Sequence, residues 1–93
     1  MMKIKNDQIY AMIKKKMIDD IIIAYEVFKE EEHPDLRGVV LALNSSGNFG
    51  SYLRNNPSKL ADFTEYLYNN LDFVVHISFS DDFNDEFFPF IEK

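Results

Sequence analysis

Phe73-Val74-Val75-His76-Ile77-Ser78-Phe79 decides how this chain is read. Phe73, Val75, Ile77 and Phe79 alternate with Val74, His76 and Ser78. A period of two puts the first set on one face of a strand and the more polar set on the other. A strand with one apolar face needs a second layer to cover it. The neighbouring sequence supplies that layer. Asn56-Pro57-Ser58 opens a helix, with Asn56 as cap and Pro57 at the first position. Leu60, Phe63, Leu67 and Leu71 then recur at helical spacing, and Asn69-Asn70 ends the helix.

Further upstream, Gly38 opens Val39-Val40-Leu41-Ala42-Leu43, a short β-branched run that predicts a buried strand. Asn44 to Asn48 reads as a turn in which Gly47 or Asn48 takes positive φ. Phe49, Ser51 and Leu53 alternate with Gly50, Tyr52 and Arg54, which predicts a second strand antiparallel to the first. Gly50 weakens that strand and leaves a short helical turn as the alternative.

The N-terminal third reads as one long helix. Asn6 or Asp7 caps it and Pro34 forbids its continuation. Tyr10, Met17, Ile21, Ala24 and Phe28 share one face, and Asp19, Glu26 and Glu30 share the opposite face. A break near Asp19-Asp20 is the alternative to a continuous helix. Ile22 and Ile23 lie off the main apolar face. They widen the stripe buried under the sheet, or they form a second contact surface and imply a homodimer. The expected fold is therefore α+β: a long N-terminal helix and a second helix packed on a small three-stranded, mainly antiparallel sheet. Residues 1–93 form a single domain, with 80–93 as an acidic, aromatic C-terminal tail.

Composition narrows the function classes. The chain has 93 residues, 46% hydrophobic and 15% aromatic, with no cysteine. Disulfides, thiolate catalysis and cysteine-based zinc sites are excluded. The longest apolar run, Ile21 to Tyr25, is far short of the roughly 20 residues that span a bilayer. No signal peptide is expected, and a cytoplasmic location follows. Charge is unevenly spread. Residues 1–18 carry five lysines and one aspartate (net +4), and residues 19–93 carry fifteen carboxylates against five bases (net −10), giving the total of −6. Such a balance argues against direct contact with nucleic acid or an anionic membrane and for a basic protein partner.

Signals of reaction chemistry are sparse. Ser45 and Ser46 lack a nucleophile-elbow pattern, and neither His33 nor His76 is spaced for a triad. Asn44 to Gly50 lacks the lysine and the following helix of a phosphate loop. Asp81, Asp82, Asn84, Asp85 and Glu86 are oxygen-rich but lack the EF-hand spacing and its glycine. No catalytic residue, metal or cofactor is expected, and the chain reads as a non-enzyme.

In composition the chain resembles small acidic inhibitor proteins: phage-type anti-restriction proteins that mimic DNA, and immunity proteins that plug a toxin nuclease. The likeness covers no aligned segment and transfers no site residue. It implies an inhibitor that presents carboxylates to a nuclease or another basic nucleic-acid-binding protein. Glu26 and Glu30 lie about 6 Å apart along a helix axis, close to the separation of successive phosphates. Asp19, Glu26, Glu30, Asp81, Asp82, Asp85 and Glu86, with Phe83 and Phe87 as aromatic anchors, are the expected contact residues. The rival readings are an adaptor that docks through its Phe-rich tail, and a small enzyme with His76 beside a carboxylate in a concave pocket.

Overall fold

The computed structural model describes residues 7–82 and 84–91, apart from the side chain of Glu32. Helix α1 spans Asp7–Glu32, strand β1 Leu36–Asn44, helix α2 Asn48–Asn55, helix α3 Pro57–Asn70, strand β2 Val74–Ser80 and strand β3 Glu86–Ile91. This is the expected α+β architecture: a long N-terminal helix and further helices packed against a three-stranded sheet.

α1 runs unbroken through Asp19-Asp20. Its 26 residues extend about 39 Å at 1.5 Å per residue, and the molecule is elongated to match, at 41 × 29 × 20 Å. α1 stops two residues before Pro34, because proline disfavours helical backbone in the residue ahead of it. The His33–Pro34 peptide bond is cis.

The sheet order is β2-β1-β3, and it is mixed. β1 pairs with β2 in parallel and with β3 antiparallel. The fold departs from the sequence pattern at two segments. Residues 49–54 are not a second strand but most of α2, whose Phe49, Gly50 and Leu53 are buried. Residues 86–91 are not a free tail but the third strand. Removing the expected hairpin also changes the pairing. Parallel strands need a crossover, and α2 with α3 provides it by carrying the chain back to the starting end of β1.

Gly50 fits the helix for a steric reason. A Cβ there would lie 2.0 Å from the Asn44 carbonyl oxygen, so only glycine lets α2 pack onto the end of β1. No residue in the turn takes positive φ; Gly47 precedes α2 in extended conformation, with φ −74° and ψ 167°. Asn56 does not cap α3 with its side chain. Its Nδ2 instead donates to the Tyr52 carbonyl at 2.7 Å, closing the end of α2.

One face of the sheet carries the core. Val39, Leu41 and Leu43 of β1 align with Val75, Ile77 and Phe79 of β2, and Leu41 aligns with Phe87 of β3. Tyr10 and Ile21 of α1, Phe49 and Leu53 of α2, and Phe63 and Leu67 of α3 pack onto Leu41 and Leu43. Ile22 and Ile23 do not widen this buried stripe; both are exposed. The opposite sheet face bears Val40, Ala42, Val74, His76, Ser78 and Phe88, and the helices pack on the other side.

Candidate functional site

α1 presents two faces of different character. Inward, Tyr10 and Ile21 are buried, and Ile13, Met17 and Ile18 pack against the core. Outward, Met12 is 68% exposed, Ile23 62% and Val27 47%. At 100° per residue these three fall on the same stripe as Asp19, Glu26 and Glu30, all exposed. The outer face is thus an apolar strip interleaved with carboxylates and with Lys16, whose ammonium pairs with Asp20. This is the arrangement of an interface centre with a charged surround.

Charge is segregated along the helix. Residues 7–18 carry three lysines and one aspartate (net +2); residues 19–32 carry six carboxylates and one lysine (net −5). Much of the basic half is engaged within the molecule. The Lys14 ammonium lies 3.2 Å from Asp62 Oδ2 and 4.5 Å from the centre of the Tyr66 ring. Lys16 pairs with Asp20 at 2.9 Å, and Lys59 of α3 pairs with Asp7 at 3.0 Å. Among the described residues, Asp19, Glu26 and Glu30 take part in no ion pair.

The acids of the β2–β3 connection lie elsewhere. Asp85 Oδ1 accepts the backbone N–H of Asn44, at the end of β1, at 2.8 Å. Glu30 precedes the start of β1. The nine residues of β1 span about 26 Å at 3.3 Å per residue, with Glu30 ahead of its start and Asp85 bonded at its end. The nine expected contact residues therefore do not form one patch. Asp19, Glu26 and Glu30 share the outer face of α1, whereas Asp81 and Asp82 are exposed just past the end of β2. Asp85 holds the end of β1, and Glu86 is half-buried in β3. Phe87 packs against the core rather than standing out as an anchor. Phe83 lies outside the described residues.

A groove of about 760 Å³ opens between α3, the second half of α1 and the first residues of β1 and β2. Tyr25 and Phe73 stack in its wall at 3.9 Å and 5°, with Arg37, Tyr68 and Asp72 at its edge. His76 is not part of it. That ring sits on the open sheet face, edge-on to Phe90 at 4.5 Å. Among the described residues no group of three or more His, Asp or Glu side chains could hold a metal ion, and no helix is long and apolar enough to cross a membrane.

The perturbed ionisable groups tie the helices together. Burial, then the bond to Asp62, pushes the Tyr10 phenol well above the ordinary tyrosine range. The Tyr10 hydroxyl, then Lys14, holds the Asp62 carboxyl below the usual carboxylate range, and the bond to Asp7 raises Lys59.

Sequence periodicity placed the α1 carboxylates correctly. It missed Met12 and Val27 as their exposed partners; the signal available was apolar residues at 12, 23 and 27 on the side of the helix away from Tyr10 and Ile21. Compared with known proteins, the chain matches no family model, no curated protein and no solved structure.

Proposed function

We propose that this protein is a non-enzymatic inhibitor that binds a basic nucleic-acid-binding protein, a nuclease being the first candidate, through the outer face of α1. Met12, Ile23 and Val27 form the apolar centre, and Asp19, Glu26 and Glu30 present the charge. The observation that carries this reading is the position of the acids on the helix. Glu30, on the outer face, lies in the last turn of α1. The helix dipole is negative there, so its carboxylate costs about 0.3–1 kcal/mol instead of stabilising. Solubility needs acidic residues but not at that end, and a basic partner is served by charge concentrated there. Attraction of this kind is long-range, fast and salt-dependent. Asp81 and Asp82, past the end of β2, belong to a second contact of the same partner or to solvation alone.

The test is titration calorimetry against a panel of basic nucleases at low and high salt, with duplex DNA as competitor. Binding that weakens steeply with salt, is displaced by DNA and is lost in a Glu26→Lys/Glu30→Lys variant supports the proposal. Binding indifferent to both salt and charge reversal overturns it. An adaptor role stands as the second reading, with a changed surface: Phe88 is exposed beside Val40 and His76 on the open sheet face, and it replaces the free tail as the docking element.

A further inference from the structure

The two edges of the sheet are built differently. Ser45 N–H donates to the Ser80 carbonyl at 2.8 Å, so Ser80 turns its backbone polar groups toward β1. Backbone direction alternates along a strand. Val74, His76 and Ser78 therefore also face β1, and Val75, Ile77 and Phe79 point their N–H and C=O groups out of the free edge. On the other side, Asn44 N–H bonds to Asp85, so the even-numbered residues of β1 face β3. Those residues pair with Glu86, Phe88 and Phe90, which leaves Phe87 and Pro89 at the outer edge of β3. Proline has no N–H, so the β3 edge lacks a donor at its middle, a common way of blunting an edge. The β2 edge has no such device: residues 73–80 contain no charge and no proline.

β2 is also complementary to itself. Turned about a two-fold axis at Ile77, it pairs Val75 with Phe79, Ile77 with Ile77 and Phe79 with Val75 of a second copy. These are the residues whose polar groups face outward, so the three pairs form about six backbone hydrogen bonds. The same operation keeps the helix layers of both copies on one side of the sheet. It sets the half-buried Val75, Ile77 and Phe79 against their own counterparts, while the buried core positions of β1 are already fully covered. On the open face His76 meets Ser78, and no like charges meet.

We infer that the protein forms a two-fold homodimer by antiparallel pairing of β2 with β2, giving a continuous six-stranded sheet in the order β3-β1-β2-β2-β1-β3. The outer face of α1 is left free in this arrangement.

Sedimentation equilibrium of the full chain, from low to several hundred micromolar, tests it. His76 and Ser78 both point away from the core, so substituting them leaves the monomer fold intact, which circular dichroism verifies. The wild type is expected to dimerise, and the His76→Glu/Ser78→Glu variant is expected to do so about tenfold more weakly, because two like-charged cross-strand pairs now oppose pairing. Mixing it with a His76→Lys/Ser78→Lys variant is expected to restore association as a heterodimer. Amide exchange at Val75, Ile77 and Phe79 is expected to slow as concentration rises. A chain that stays monomeric throughout overturns the inference. So does a dimer that ignores these substitutions, or one abolished instead by Ile23→Glu on α1.

Discussion

The Tyr10 hydroxyl donates a 2.7 Å hydrogen bond to Asp62, joining the first turns of α1 to α3 across 52 residues of sequence. The Lys59 carbonyl lies 3.1 Å from the same hydroxyl, and Lys14 reaches the same carboxylate oxygen. Tyr10→Phe keeps the ring and removes the donor. It is expected to cost about 0.5–1.5 kcal/mol, read as a lower urea midpoint with an unchanged slope.

The same pair sets two limits in pH. Asp62 titrates lower in the folded chain than in the unfolded one. Its contribution is present above the ordinary carboxylate range and is lost as pH falls through the folded value. Tyr10 titrates higher when folded. Its contribution is complete below the ordinary tyrosine range and disappears as pH rises beyond it. Urea melts from pH 3 to 11 should show stability falling at both ends, and Tyr10→Phe should flatten the alkaline fall.

Gly38 and Gly50 are places of close backbone approach. A Cβ would lie 1.8 Å from the Val74 carbonyl oxygen at Gly38 and 2.0 Å from the Asn44 carbonyl oxygen at Gly50. Backbone atoms cannot move aside cheaply, so Gly38→Ala and Gly50→Ala are each expected to lose about 2–3 kcal/mol. Gly47→Ala, with 3.3 Å to the Asn44 oxygen, should lose much less. Thermal melts of the three variants check the order.

Asp85 and its neighbours should separate by role. Asp85→Ala removes the carboxylate that accepts the Asn44 N–H at 2.8 Å and is expected to lower stability by about 1 kcal/mol. Asp81→Ala and Asp82→Ala alter only exposed side chains and should stay within about 0.5 kcal/mol of wild type.

α1 should show stability and binding in opposition. Glu30→Lys replaces an acid with a base at the negative end of the helix dipole and is expected to raise stability by about 0.3–1 kcal/mol while weakening capture of a basic partner. Ile23→Ala should leave the melt nearly unchanged. Ile21→Ala, at a fully buried position, should cost about 2–5 kcal/mol.

Local patterns fixed three elements within the sequence. Pro34 and the apolar face from Tyr10 to Phe28 specify α1. Asn56-Pro57 and the Leu60–Phe63–Leu67 spacing specify α3. The alternation around Ile77 specifies β2. Each reports a period or a steric prohibition that operates within a few residues.

α2 was legible only as the alternative to a strand, because Phe49, Gly50 and Leu53 satisfy a strand period and a helix period about equally over so short a span. The need for glycine at position 50 comes from Asn44 across the turn. β3 was hidden in a segment rich in acids and interrupted by Pro89, which is tolerated there because its missing N–H falls on an outer edge. Strand partners and their directions are long-range choices, set by which crossover buries the most apolar surface. Whether the acids of the two dense stretches meet is decided in the same way: β1 lies between them, with one stretch ahead of its start and the other at its end. The amino-acid order thus determined α1, α3, the one-faced strand and the imbalance of charge. Tertiary packing alone decided the pairing of the sheet and the separation of the two acidic stretches, because those depend on contacts between residues that no local period relates.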